Sequence, residues 1–215
     1  AVLVRTAHHT LLYDAGPRYS AESDAGHRVL VPLLARTMER LDVLMLSHRD
    51  SDHTGGAAAV LAMQPKAHLW SSLEAGHPVL GMAASQTRCQ RGQSWVWDGV
   101  HFEVLHPTMD GNDGGKAPAP NALSCVLRIR AGLQSALLAG DIEAAQEKAL
   151  VQQGLAPVDL LLVPHHGSKT SSSAEFLQAL RPKLALVQAG YRNRFGHPAP
   201  VVVGRYAQMN SRLVS

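Results

Sequence analysis

The sequence predicts an α/β fold in a single domain, residues 1–215. Short apolar runs of strand length recur along the chain, and each is followed by a polar turn and then by a helical stretch. Apolar residues make up 46% of the chain and charged residues 17%, a composition that supports a packed core. The apolar runs all fall far short of the roughly 20 residues that a transmembrane helix needs. No long polar linker divides the chain, which favours one domain.

The first half of the chain contains a strand, a polar loop and a helix in that order. An apolar strand at 1–4 opens the sequence, which suggests a domain cut from a longer protein. The run Leu41–Leu46 is predicted to be a strand, and Ser47–Thr54 is predicted to be a loop. A helix is predicted over Ala57–Met63, ending before Pro65.

The same order of elements returns in the second half. The predicted elements there are the strand Gln134–Ala139, the helix Glu143–Gln153, the strand Asp159–Val163, the loop His165–Ser173, the helix Ala174–Leu180, the strand Leu184–Gln188 and the helix Val201–Met209. Between the halves, antiparallel strands are predicted at Trp95–Trp97, Val100–Leu105 and Ser124–Arg130. The Gly-, Pro- and Asp-rich segment Thr108–Pro120 is predicted to be a flexible loop.

Charge and cysteine content restrict the chain less strongly. The net charge is only +3, but the stretch from His165 to Ser215 contains one acidic residue, Glu175, and seven basic ones: Lys169, Arg181, Lys183, Arg192, Arg194, Arg205 and Arg212. A basic tail would suit a polyanionic partner, although charge alone favours an ordinary solvated surface. Cys89 and Cys125 are either two buried thiols in a reducing compartment or one disulfide in an oxidising one.

Four potential metal ligands lie within six residues directly after the strand Leu41–Leu46: His48, Asp50, Asp52 and His53. Because alternate residues of an extended chain point to the same side, the residues at 48, 50 and 52 can face one way, and a turn can add the fourth. A polar turn that merely caps the next helix would need one Asp but not two histidines. The pattern therefore predicts a metal site.

Further ligands follow two later strands. Asp141 comes after the strand Gln134–Ala139, although alone it would be interpreted as a helix cap. His165 and His166 follow the strand Asp159–Val163, in a segment that Gly167 marks as a loop. Ligands at the ends of several strands are typical of a site beyond a sheet edge.

These residues carry a family resemblance. The pattern from His48 to His53 with Gly55 and Gly56 resembles the signature loop of the metallo-β-lactamase superfamily, and Asp141 resembles its bridging aspartate. The segment Tyr13–Gly16 is similar to the superfamily's early strand-end motif. Three more segments resemble the C-terminal β-lactamase-like domain of the ComEC family of DNA-uptake channel proteins: Asn121-x-x-Ser124, residues 163–171 and residues 193–198.

The resemblance implies a four-layer αββα sandwich, a dinuclear metal site and a nuclease that degrades the DNA strand that is not imported. The implied ligands are His48 and Asp50 for one metal, Asp52 and His53 for the other, Asp141 between them, and one of His165 and His166, with His166 favoured, to complete the second site. This assignment leaves His165 near the substrate phosphate. Asp50 stands where many superfamily members have a second histidine, and Asn121 falls near the place of a third.

Three carboxylates and three imidazoles form an oxygen-rich set, which favours Mn²⁺, with Zn²⁺ as the alternative. Two such cations lower the pKa of a bridging water and neutralise a phosphodiester oxygen. Asp52 or Asp141 would orient that nucleophile, and His165 or His197 would protonate the leaving oxygen. The expected substrate-binding residues are Lys169, which clamps the phosphate by charge, together with Asn121, Ser124, Ser168, Thr170, Ser171 and Arg194.

Two other functions compete with a DNA nuclease. The same metal site could hydrolyse a small phosphodiester, a phosphorylcholine ester or a lactone. A DNA-binding module that has lost its metal is the third hypothesis, and the intact ligand set opposes it. The resemblance also implies a parent protein in the inner membrane, with this soluble domain on its outer side. DNA and the transmembrane portion of the same protein are the expected partners, and no separate protein partner is inferred.

Overall fold

The computed structural model describes residues 1–108, 118–190 and 193–215. The chain divides into two compact units, Ala1–Cys89 and Gln90–Ser215, so the single domain stays a prediction. Most of the predicted loop Thr108–Pro120 and the basic residue Arg192 lie outside the described residues. Within the described ranges, no helix combines the length and the apolar character needed to cross a bilayer.

The first unit is built on a five-stranded sheet with helices, as the α/β prediction requires. Its elements are β1 (Val2–Arg5), β2 (Thr10–Tyr13), β3 (Arg18–Ser20), β4 (Ser23–Asp24), a π-helical turn (Gly26–Leu30), α1 (Val31–Arg36), β5 (Val43–Leu46), α2 (Ser51–Thr54), α3 (Ala57–Met63), β6 (His68–Ser71), a 3₁₀ turn (Pro78–Met82) and β7 (Gln86–Arg88). The sheet order is β1-β2-β5-β6-β7, with β1 antiparallel and the other pairs parallel, while β3 and β4 form a separate hairpin.

The central strand β5 places the first group of predicted ligands. All four of its residues are buried, which explains why it reads as a continuous apolar run in the sequence. Leu44 and Leu46 pack into an apolar cluster with Leu12, Val60 and Leu69. The polar segment that follows β5 therefore starts from a rigid strand end.

The second unit has a seven-stranded sheet. Its elements are β8 (Ser94–Trp97), β9 (Val100–His106), a 3₁₀ turn (Asn121–Leu123), β10 (Val126–Ala131), β11 (Gln134–Leu138), α4 (Ala144–Gln152), β12 (Leu160–Leu162), a 3₁₀ turn (Pro164–Gly167), α5 (Ala174–Leu180), β13 (Leu184–Leu186), α6 (Pro200–Gln208) and β14 (Arg212–Val214). The order is β14-β13-β12-β11-β10-β9-β8. Strands β8 to β10 pair antiparallel, as predicted. Strand β11 also pairs antiparallel with β10, and β11 to β14 pair parallel.

Two details differ from the sequence prediction. The predicted loop Ser47–Thr54 contains the short helix α2, because the amide groups of His53 and Thr54 both donate to the carbonyl oxygen of Asp50 at 3.0 Å. The predicted loop His165–Ser173 likewise begins inside a 3₁₀ turn. Both cysteines, Cys89 and Cys125, are disulfide-bonded rather than free thiols.

Replacement of Gly56 by alanine tests the close packing behind α2. A Cβ atom at this position would overlap the carbonyl oxygen of Ala15 and the amide nitrogen of Gly26. We expect Gly56→Ala to lower the free energy of unfolding by about 1–3 kcal/mol, the usual cost of overpacking. Chemical denaturation measures the change, and Gly81→Ala is the control because its Cβ would meet open space. Equal stability of the two variants would contradict this packing.

Candidate metal centre

The first unit brings its four predicted ligands together at the end of β5. His48 and His53 are buried, and their ring centroids lie 4.1 Å apart. Asp50 Oδ2 lies 3.5 Å from Nε2 of His48, and Asp52 Oδ2 lies 3.7 Å from Nε2 of His53. Both carboxylate side chains are about half exposed. Each imidazole therefore presents its Nε2 atom to a carboxylate that solvent also reaches.

A buried carboxylate holds one of these imidazoles from behind. His53 Nδ1 donates to Asp14 Oδ2 at 2.7 Å, which places the lone pair of the neutral ring on Nε2. Ser47 contacts the same carboxylate, since its amide and its hydroxyl both donate to Asp14, at 2.7 and 3.1 Å. Its hydroxyl also lies 3.0 Å from His48 Nδ1. Burial opposes the charged form of Asp14, but the charge and hydrogen bonds of His53 and the Ser47 amide outweigh it and lower its pKa.

The second unit places two histidines, the predicted ligand His166 and its neighbour His165, near the predicted ligand Asp141. Asp141 is buried just beyond β11, and its amide donates to the hydroxyl of Ser124 at 3.1 Å. Its Oδ2 lies 3.4 Å from Nε2 of His166 and 3.9 Å from Nε2 of His165. His166 Nδ1 donates to the carbonyl oxygen of Gln188 at 2.7 Å, so this ring too carries its lone pair on Nε2.

His165 has a different set of neighbours. Its Nδ1 lies 3.2 Å from a carboxylate oxygen of Glu143 and 3.3 Å from the hydroxyl of Thr170, which itself donates to Glu143 at 3.0 Å. The Asn121 amide nitrogen lies 3.5 Å from His165 Nε2. Sequence analysis did not identify Glu143 as a partner of His165, because the two residues are far apart in the chain and come together only in the fold.

A second buried carboxylate accepts hydrogen bonds from the C-terminal end of the histidine loop, residues 165–173. Glu147 on α4 accepts hydrogen bonds from the amides of Ser172 and Ser173 at 2.5 and 2.8 Å. Arg205 on α6 donates to the carbonyl oxygens of Ser171 and Ser172, both at 3.0 Å. Burial raises the pKa of Glu147 despite these donors. The loop is thus held by main-chain contacts from two helices.

These contacts stabilise an unusual backbone. His165 and His166 both adopt left-handed conformations, with φ of 48° and 55°. Two consecutive non-glycine residues in this region store strain that the surrounding structure must overcome. The carbonyl of Gln188 and the bonds at Ser171–Ser173 supply that support. Strain of this kind is typical of functional sites.

The remaining predicted residues divide into buried and exposed groups. The Ser171 hydroxyl donates within the loop to Pro164 and Ser168, and the Ser168 hydroxyl lies 3.1 Å from that of Thr170. Lys169 and Arg194 are exposed, and the Arg194 guanidinium lies 4.8 Å from the Phe195 ring centroid.

His197 lies beside the histidine loop, with its ring centroid 6.1 Å from that of His165. Burial and the electrostatic interaction with His165 and His166 lower its pKa. Asn193 holds its main chain, donating to the carbonyl oxygen of His197 at 2.7 Å and accepting from its amide at 3.0 Å.

The donor chemistry of each unit suits divalent metal ions. A metal-binding imidazole commonly donates its other nitrogen to a carboxylate or a carbonyl, and His53 and His166 both do so. In both cases Nε2 faces an aspartate oxygen at less than 4 Å. Such rings are oriented before any metal arrives. The residues present therefore fit the predicted cofactor.

The fold and this donor set define a class of protein. The sequence pattern of the Metallo-beta-lactamase superfamily matches residues 1–191 of the chain. The protein belongs to that superfamily of metal-dependent hydrolases. A putative metal-dependent hydrolase from Parabacteroides distasonis covers 99% of this chain and 86% of its own, with a TM-score of 0.60 at 14% identity. The metallo-beta-lactamase fold protein YhfI of Bacillus subtilis gives a TM-score of 0.59 at 15% identity. That match covers 99% of this chain and 86% of YhfI.

Sequence relatives confirm the resemblance to competence proteins. Competence protein ComA of Neisseria gonorrhoeae is 40% identical over 210 residues, which cover 95% of this chain and 28% of that protein. Recombination protein 2 of Haemophilus influenzae is 35% identical over 94% of this chain and 24% of its own length. ComE operon protein 3 of Bacillus subtilis is 33% identical over 88% and 25%. The chain thus spans about a quarter of the length of these relatives.

Substitution of Asp14 tests the support behind His53. We expect Asp14→Asn to weaken the binding of Mn²⁺ or Zn²⁺ about 10–100-fold, because the neutral amide no longer fixes and polarises the imidazole. Calorimetric titration of the metal-free protein measures the affinity. Asp24→Asn is the matched control, since Asp24 also pairs with a histidine, His27, but away from the ligand group. Unchanged affinity in Asp14→Asn would rule out this role.

A graded pair of variants tests the tether at Glu147. Glu147→Ala leaves two buried amides without an acceptor, and each costs about 1–3 kcal/mol of stability. Glu147→Gln keeps an acceptor oxygen and should recover part of that loss. Thermal and chemical denaturation measure both variants, with Glu175→Gln on the exposed start of α5 as the control. If alanine and glutamine have the same effect, the two hydrogen bonds are not the cause.

Proposed function

We propose that this protein is a metal-dependent phosphodiester hydrolase that acts as a deoxyribonuclease in DNA uptake, degrading the strand that is not imported. The observation that carries the proposal is the pair of anchored imidazoles, His53 and His166, each with Nε2 facing an aspartate. Relatives named as competence proteins match this chain over 88–95% of its length. The names of these relatives support DNA as the proposed substrate, which the metal chemistry alone does not specify.

The proposed ligand set is the one that the family resemblance implies. His48 and Asp50 would hold one metal ion, Asp52 and His53 the other, and Asp141 would bridge the two. His166 would complete the second site, because its ring is anchored by a fixed carbonyl oxygen. The oxygen-rich donors favour Mn²⁺ over Zn²⁺. Among proteins with the same fold, PqqB of Methylobacterium extorquens is described as Zn²⁺-bound and CmlA of Streptomyces venezuelae as a diiron enzyme.

Divalent ions bound there would supply an activated water and stabilise the negative charge of the phosphate. Among the protein's own groups, Asp52 orients the nucleophile from its half-exposed position. His165, held by Glu143 and Thr170, gives a proton to the leaving oxygen, and His197 is the second candidate for this step. Asn121 lies beside His165 and contacts the phosphate from there.

The exposed basic residues would bind the DNA backbone, but not all of the basic tail contributes. Lys183 is paired with Asp159 at 2.7 Å, and Arg205 is engaged by the histidine loop. After Lys183 and Arg205 are set aside, the exposed basic residues of the tail in the described ranges are Lys169, Arg181, Arg194 and Arg212. The hydroxyls of Ser168 and Thr170 and the main chain around Ser124 and Ser171 complete the proposed phosphate-binding surface.

The proposed placement is the outer side of the inner membrane, attached to the transmembrane portion of the same parent protein. The disulfide-bonded state of Cys89 and Cys125 supports this placement, since disulfides persist mainly in oxidising compartments. The relatives are about four times as long as this chain, which leaves room for such a portion. No separate protein partner is proposed.

A comparison of two substrates tests the proposal. We expect the Mn²⁺-loaded protein to cut linear DNA, and Asp52→Ala or His53→Ala to reduce the rate by about 10³-fold or more, because a metal ligand is lost. His101→Ala, an exposed histidine on β9, is the control and should keep full activity. Gel assays of DNA cleavage and a chromogenic small phosphodiester measure the two activities in parallel.

Each outcome of this comparison has a defined meaning. Cleavage of DNA that depends on both ligands supports the nuclease. Activity on the small diester without any on DNA would instead support the second candidate, a hydrolase of small phosphodiesters, phosphorylcholine esters or lactones. DNA cleavage that survives in both variants would remove the metal assignment.

A further inference from the structure

A polar cavity of about 270 Å³ lies in the second unit, away from the proposed metal ligands. It is bounded by the strands β9 and β10 and by the C-terminal end of α4. Its polar lining residues are Arg91, Glu103, Arg128 and Gln153, and Leu105, Leu150 and Leu155 supply apolar walls.

Among the described residues, the two arginines of this cavity lack side-chain partners of the kind that Lys183 has. Arg128 Nε is buried and forms no hydrogen bond with any described residue. Arg128 stands directly opposite Glu103 in the β9–β10 ladder, yet their side chains form no ion pair in the described ranges. The Arg91 guanidinium, which is exposed, has no side-chain partner there either. By contrast, Lys183 is paired with a carboxylate.

A buried, unpartnered guanidinium nitrogen requires a physical explanation, since burial of a polar donor without an acceptor is unfavourable. Nε itself is closed to solvent, so an anion in the cavity would be bound by the terminal nitrogens of Arg128 and would offset the desolvation of its charge. The planar fork of arginine matches two oxygens of a phosphate, and a second arginine at the rim adds both charge and orientation. The glutamate narrows the ligand further, because its carboxylate accepts a hydrogen bond from a hydroxyl or amino group.

We propose that this cavity is a phosphate-binding site for a small phosphate monoester, such as a nucleoside monophosphate. Arg128 and Arg91 bind the phosphate oxygens, Glu103 accepts a hydrogen bond from the rest of the ligand, and the leucines contact its apolar faces. Free phosphate has the same anionic group but lacks the sugar hydroxyl and the base that would extend to Glu103 and the leucines. The site is separate from the proposed nuclease reaction, because none of the proposed metal ligands lines it.

Binding is measured on the full 215-residue chain in the presence of a chelator, which removes phosphate binding through metal ions. Calorimetry and thermal shift are recorded with three probes: inorganic phosphate, deoxyadenosine monophosphate and deoxyadenosine. We expect the monophosphate to bind most tightly and the nucleoside not to bind. Arg128→Gln should weaken binding about tenfold or more, since charge-assisted hydrogen bonds are lost.

Matched variants distinguish this site from general surface charge. Arg130→Gln removes the same charge from an exposed position two residues along β10 and should leave the affinity unchanged. Arg91→Gln changes an exposed side chain, so it tests the site even if Arg128→Gln fails to fold. Binding of phosphate and monophosphate with equal affinity would identify the phosphate group alone as the ligand and keep the site. No binding, or binding that neither arginine variant weakens, would overturn the proposal, whatever the outcome of the nuclease assays.

Discussion

The hydrogen bond between His53 and the buried Asp14 carboxylate is the interaction on which the ligand group of the first unit depends. Strands β2 and β5 run parallel as neighbours, so Asp14 and Ser47, each just beyond a strand end, come together. Asp14 reaches this position with a left-handed backbone, φ 59°, which is costly for a residue other than glycine. Its bonds with His53 and Ser47 offset that cost, and a packed strand core keeps the geometry fixed.

The second unit orients its histidine with different groups. There a main-chain carbonyl, that of Gln188, orients His166, and the strain of two left-handed histidines is borne by a loop whose far end is bonded to α4 and α6. Glu147 stays buried for this purpose although burial raises its pKa. A carboxylate is useful in this place because its two oxygens can accept from the main-chain amides of Ser172 and Ser173.

How far the sequence predicts this arrangement depends on the range of the interactions. The helices Ala57–Met63 and Ala174–Leu180 occur with the predicted bounds, and the buried strands differ by one or two residues, because apolar periodicity and helix-ending prolines act locally. Strands β6 and β7 were not predicted, since their short polar sequences become strands only through pairing. The same holds for contacts such as Glu143 with His165, which join residues far apart in sequence.

The two adjacent histidines illustrate how the anchor of a ring decides its use. His166 is held by a main-chain carbonyl two residues beyond β13, an acceptor that cannot rotate away. His165 is held by Glu143 and Thr170, two side chains on the exposed side that can change rotamer. A metal ligand needs a ring whose direction is set in advance, whereas a group that meets a substrate benefits from adjustable partners. His166 also lies nearer Asp141, by 0.5 Å, from the distances of 3.4 and 3.9 Å. Anchor and distance thus both favour His166 for the proposed ligand role and His165 for the proposed contact with the substrate.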